Sequence, residues 1–200
     1  MKKVLFLLAV AALLSASSCS SEPIEEISQN SELIYTVESN FIDRSNARFA
    51  VNLDEECFYS ELMAGQSIDA GNIIINKDEV ENTVSISYQT EGEWIILETQ
   101  LSIREYNEID TPDFPMTGAG NPKIGQFEIN ESFDEETNSV TFTFSSEVTD
   151  QFSIAAHAVV ADASGSSETA WSAGEEFPGR SWATYTLVDL SHCFVYEELE

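Results

Sequence analysis

This 200-residue chain predicts an all-β fold, an antiparallel β-sandwich or a barrel-like variant of one. Three observations carry the prediction. Apolar residues recur with period two over much of the chain, the repeat of a strand with one face in a core and one face wet. The runs are short and separated by turn chemistry at a spacing of about 8–12 residues, as in sandwiches and barrels. Helical patterning is nearly absent, the one candidate being a turn or two around Glu55 to Ala64.

Taken in order, the elements justify the class. Val84, Ile86 and Tyr88 alternate with Ser85, Ser87 and Gln89. Ile95, Leu97, Thr99, Leu101 and Ile103 alternate with Ile96, Glu98, Gln100, Ser102 and Arg104. Phe127 and Ile129 mark a further strand, and Val140, Phe142 and Phe144 alternate with Thr141, Thr143 and Ser145. Near the end, Trp182, Thr184, Thr186 and Val188 stand against Tyr185 and Leu187. Ile73-Ile74-Ile75 and Phe152 to Ala161 are apolar on both faces, which suits central strands. Asn76-Lys77-Asp78, Glu91-Gly92-Glu93 and Asp134 to Asn138 read as turns at hairpin spacing. Longer loops are expected from Asn107 to Gly125 and from Ala163 to Gly179. No internal repeat is visible. Residues 33–200 are therefore expected to form one sandwich domain, long enough for a real core.

The first 18 residues are of another kind. Met1-Lys2-Lys3 is a short basic start, Val4 to Leu14 an unbroken apolar run, and Ala16-Ser17-Ser18-Cys19 closes it with small residues and a cysteine. That is the anatomy of a secretory signal. The apolar run is about half the roughly 20 residues a spanning helix needs. The segment resembles a bacterial lipoprotein signal, which implies that Cys19 is lipidated and becomes the new N-terminus; Ala16 stands where such signals usually carry Leu. Several acyl chains on Cys19 would anchor the protein to a membrane, since each buried CH₂ contributes about 0.8 kcal/mol. Residues 19–32 then read as a polar, acidic tether. An acidic stretch after a lipidated cysteine resembles the export signal of surface lipoproteins in Bacteroidota-type bacteria. The expected place is the cell envelope, lipid-anchored, at the outer membrane and exposed at the surface.

Charge narrows the partners. A chain beginning at Cys19 keeps six basic residues against 36 acidic ones, a formal −30. Such a surface repels nucleic acid and attracts cations and basic partners. With Cys19 lipidated, Cys57 and Cys193 remain as an even pair in an oxidising compartment, which predicts a disulfide between them. Buried thiols are the alternative.

Catalytic chemistry finds little support. Gly-x-Ser-x-Gly and Gly-x-x-x-x-Gly-Lys are both missing. His157, in Ala155-Ala156-His157-Ala158-Val159, shares a face with Ala155, Val159 and Ala161 and reads as a buried, hydrogen-bonded histidine. His192 beside Cys193 makes no zinc pattern with the scattered Cys57 and His157. Acid clusters at Asp54-Glu55-Glu56, Asp134-Glu135-Glu136 and Glu175-Glu176 lack calcium-loop spacing, so no cofactor or metal is expected beyond weak calcium binding outside the cell.

The aromatic residues point to binding. Trp171 sits in the polar run Glu168-Thr169-Ala170-Trp171-Ser172, and an exposed indole is a surface on which a sugar ring stacks. The other reading has Trp171 and Trp182 pinning the loop onto the core. Arg180 is one of the six basic residues and is expected to pair with a local acid or to contact a ligand.

Four stretches carry a family resemblance. They are Gly118-Ala119-Gly120-Asn121-Pro122-Lys123-Ile124-Gly125-Gln126-Phe127, Ile154 to Ala158, Glu168 to Trp171, and Phe177-Pro178-Gly179-Arg180-Ser181-Trp182-Ala183-Thr184-Tyr185. With Ala64 to Gly71 as an opening, they resemble a recurrent secreted β-domain of bacterial surface proteins that has no settled biochemical function. The resemblance implies an extracellular β-module and supplies no catalytic residue. The expectation is a non-catalytic binding or adhesion module for a glycan or protein ligand, contacting it through Trp171, Trp182 and Arg180. A structural component of the envelope is the alternative, and a hydrolase ranks last.

Overall fold

The computed structural model describes residues 35–40, 57–133, 136–145 and 149–193, all within the unit Leu33–Glu200. The signal segment, Cys19, the tether and the cluster Asp54-Glu55-Glu56 lie outside the described residues, as do Asp134 and Glu135.

Among the described residues there are eleven strands: β1 Tyr35–Asn40, β2 Phe58–Ala64, β3 Ile68–Asp78, β4 Thr83–Thr90, β5 Ile95–Glu105, β6 Ile129–Ser132, β7 Ser139–Ser145, β8 Gln151–Ala161, β9 Ser167–Ser172, β10 Glu175–Glu176 and β11 Thr184–Asp189. A 3₁₀ turn, Ile124–Gln126, interrupts the loop before β6. Every strand pairing is antiparallel.

The strands run β1-β7-β4-β3-β2 in one layer and continue through β9 into β8. Three residue pairs between Leu62–Ala64 and Ala170–Ser172 make that corner. β8 pairs with β5 along one edge and shares its other edge between β9 and β11, while β6 extends beyond β5. The sheet folds on itself without closing into a barrel.

Alternation decides which side chains meet. Leu62, Ile73, Ile75, Val84, Ile86, Tyr88, Val140, Phe142 and Phe144 come from the first layer. Ile96, Leu101, Phe152, Ile154, Ala156, Ala158, Val160 and Val188 come from the second, and all are buried in one core. Tyr88 crosses between the layers, its hydroxyl donating to the Gln100 carbonyl at 3.1 Å, and burial pushes its pKa well above that of free tyrosine. Cys57 and Cys193 form a disulfide with their Cα atoms 5.0 Å apart, tying the approach to β2 to the segment after β11.

A second core lies on the far side of β8. Ala155, Trp171, Tyr185, Phe114, Phe127, Phe177 and Ala183 form it. The long loop before β6 supplies Phe114 and Phe127, so β8 is covered on both faces, as apolar residues on both of its faces predict.

Three local expectations are corrected. The helix candidate around Glu55 to Ala64 is β2 over its described part, because Ser60, Leu62 and Ala64 alternate inward with Tyr59 and Glu61 outward. Asn76-Lys77-Asp78 ends β3 instead of turning it; the turn follows, where Asp78 Oδ1 accepts the N–H groups of Val80 and Glu81 and Asn82 adopts φ 53°. The loop from Ala163 to Gly179 contains β9 and β10. The first half of β9, Ser167-Glu168-Thr169, is polar and exposed, which hides a strand whose second half is fully buried.

Candidate functional site

His157 is a buried polar side chain beside the second core. Strand register places it between Gln100 on β5 and Trp171 on β9. Its Nδ1 lies 2.6 Å from Gln100 Oε1, and Trp171 packs against the ring at 4.7 Å between centroids, the two planes tilted by 59°. An amide oxygen only accepts, so Nδ1 carries the proton and Nε2 is left as a lone pair, buried without a partner. Burial lowers the pKa of His157 to about 4. Gln100 is itself held by donating its amide to Glu98 Oε2 at 3.2 Å. The imidazole is thus neutral and covered by indole. Among the described residues no carboxylate or hydroxyl side chain hydrogen-bonds it.

Trp171 is 4 % exposed, which corrects the expectation that it offers a stacking face. Its indole meets Phe127 and Phe177 edge-on and the His157 ring at a tilt, so no face is left for a ligand. Trp182 is partly buried against the same cluster. Arg180 is exposed, and among the described residues neither it nor Lys123 enters an ion pair.

The motif stretches serve to lock two loops together. Asn121 Oδ1 accepts the backbone N–H groups of Arg180 and Ser181 at 2.8 and 3.0 Å. Gly120 sits at φ +80° against Gly179, and a Cβ on Gly179 would collide with the Asn121 side chain. Both glycines are therefore required by close approach and not by flexibility alone. Arg104 fastens the same loop from β5, donating to the Asp113 carbonyl at 2.7 Å, pairing with Glu128 and lying over the Phe114 ring.

An open concavity among the described residues lies elsewhere, at the turns joining β4 to β5 and β8 to β9. Asp69, Glu91, Gly92, Glu93, Trp94, Asp162 and Ala163 line a groove of about 420 Å³. Its walls are fixed by backbone. Glu91 N–H donates to the Ala70 carbonyl at 2.8 Å, Trp94 N–H closes the turn onto the Glu91 carbonyl at 3.2 Å, and the Thr90 hydroxyl donates to the Trp94 carbonyl at 2.6 Å. Trp94 is half-buried, resting on the main core while lining the groove. Asp162 Oδ1 accepts from the Ser164 hydroxyl and from the N–H groups of Ser164 and Ser166, which hold its carboxyl below the ordinary range. Asp69 Oδ1 accepts Gly71 N–H, and Glu91 Oε1 accepts the Asn72 amide.

Sequence reasoning missed this site. Glu91-Gly92-Glu93 was legible as a turn, but only the fold brings Asp69 and Asp162 beside it. Among the described residues no group of three or more His, Cys, Asp or Glu side chains is placed to hold a metal ion. No protein-family model matches the chain, and comparison with curated proteins and with solved structures likewise finds no match.

Proposed function

We propose that this protein is a lipid-anchored component of the bacterial cell envelope whose sandwich is a non-catalytic binding module for a glycan. In this reading residues 1–18 direct export, Cys19 carries the lipid, and 19–32 hold the domain off the outer-membrane surface. The groove at Trp94 carries the proposal: an indole beside carboxylates offers a ring a stacking surface and hydroxyls an array of acceptors. It takes the place first expected for Trp171. The loop stretches that resemble the secreted β-domain serve as scaffold for the module.

A glycan-array screen of the detergent-solubilised protein tests this. Binding is expected with the native protein and lost in Trp94→Ala, with circular dichroism confirming that the variant folds. A blank array accompanied by cross-linking to an envelope protein would replace the proposal with the structural reading.

A further inference from the structure

We propose that the loop before β6, residues 106–128, is an acid-opened cover over the face of β8 turned to the second core, and that His157 is its trigger. His157 is an orphaned base in a closed place. It is 4 % exposed, its Nδ1 is committed to Gln100, and its Nε2 is buried with no partner. A neutral ring tolerates this arrangement. A proton on Nε2 would make a buried cation whose new donor has nothing to donate to, which costs far more than an unpaired lone pair.

The surroundings offer that charge no answer. On β5, Glu98 reaches the imidazole only through the Gln100 amide, and Arg104 is paired with Glu128 of the loop. Asp113 of the loop meets Arg104 through its carbonyl. Glu168 on β9 is exposed. On β11, Tyr185 packs on Phe114 and Phe177, and Asp189 accepts from Gln151 and Ser191. Among the described residues none of these groups hydrogen-bonds the imidazole, and burial alone depresses its pKa.

Relief must come from the element that yields most easily. β8 is bonded along both edges, to β5 on one side and to β9 and β11 on the other, so the sheet cannot part without losing ladder hydrogen bonds. The loop is held mainly by side chains. Phe114 and Phe127 pack on Phe177, Tyr185 and Trp171, Asn121 clasps the Arg180 and Ser181 N–H groups, and Arg104 grips Asp113 and Glu128. Its backbone hydrogen bonds are mostly internal, with Gly179 N–H donating to the Gly120 carbonyl as a link outward. Segments held in this way open locally at lower cost than a ladder. Lifting Phe127 off the indole that leans on His157 lets water reach the ring. Against the opposing effect of burial, Arg104 keeps the Glu128 carboxyl below its ordinary range, so that anchor persists while the imidazole begins to take its proton.

The sign of the effect is fixed by proton affinity. In the open form the ring regains its ordinary pKa of 6.5, against about 4 in the closed form, so acid favours opening. Amide hydrogen exchange of the detergent-solubilised protein from pH 7 to pH 4, corrected for the intrinsic exchange rates, tests this. The opening equilibrium at Lys123 and Phe127 should rise about 100-fold over that range, while the amides of β4 stay level. The rise should vanish in His157→Gln and persist in Glu128→Gln, whose loop is looser at every pH. Unchanged protection of the loop would overturn the proposal. So would simultaneous loss of protection in the loop and β4, which is global unfolding. A rise that survives in His157→Gln, or disappears in Glu128→Gln, would overturn it too and move the trigger to the Arg104–Glu128 pair. Should His157→Gln fail to fold, Glu128→Gln and the comparison of loop with β4 still decide.

Discussion

His157 should make the stability of this protein depend on pH between its unfolded and folded pKa values. The ring is buried beside Gln100 and Trp171, neither of which titrates, with Phe127 packed on the same indole. Its folded pKa is lowered from 6.5 to about 4 by burial. The unfolded chain therefore binds the proton more readily, and stability is full above pH 6.5 and falls as pH drops towards 4. The loss attributable to this residue is about 2 kcal/mol at pH 5 and approaches 3 kcal/mol near pH 4, below which it levels off. Carboxylates titrate over part of the same range, so the effect must be read as a difference between two proteins. Denaturant unfolding of the native chain and of His157→Gln at a series of pH values isolates it, since His192 is common to both. The native protein should lose stability relative to the variant by those amounts across the window. A constant difference from pH 7 to pH 4 would refute the reasoning, and would mean that the imidazole finds a proton acceptor or reaches solvent.

Other expectations follow from packing and from the covalent frame. Trp171→Ala should cost about 3–5 kcal/mol in denaturant unfolding, because it empties the centre of the second core. Asn121→Ala removes the acceptor of two backbone N–H groups at a solvent-facing lock; it should cost about 1 kcal/mol and speed hydrogen exchange at Arg180 and Ser181. Replacing Cys57 by Ser opens a disulfide spanning 136 residues, for which loop-closure entropy gives an upper figure of about 4–5 kcal/mol, seen as a fall in Tm that reductant reproduces in the native protein. Cys19→Ala should abolish incorporation of labelled fatty acid and release the protein from membranes into the aqueous phase, if the lipoprotein signal operates as proposed.

The strands with one wet face were the most legible part of the chain. Val84 to Tyr88 and Val140 to Phe144 alternate cleanly, and both became neighbouring strands of the first layer. β8 was legible for the opposite reason, since an apolar run on both faces requires cover on both sides. What covers it was not legible. The long loop before β6 carries Phe114 and Phe127 among glycines, prolines and acids, and nothing local marks those two rings as core. β9 was missed because its first three residues face solvent and only its last three are enclosed. The disulfide could be paired by elimination, but sequence could not place its two sulfurs within reach.

Trp94 and Trp171 show why the binding residues resisted sequence reading. Each follows a short polar stretch, Glu91-Gly92-Glu93 in one case and Glu168-Thr169-Ala170 in the other, so local composition treats them alike. Their fates diverge through contacts distant in sequence. Trp171 is paired across the ladder with His157, on a face of β8 that the loop before β6 closes over from more than forty residues upstream. Trp94 sits in a turn between β4 and β5, where no segment among the described residues crosses over it and the β8–β9 turn forms only one wall. The exposure of an aromatic side chain is thus decided by what packs on the neighbouring strand, and that is a property of topology. Charge obeys the same logic. Asp69, Glu91, Glu93 and Asp162 are four unremarkable acids among 36 until strand order brings them into the lining of one groove with Trp94.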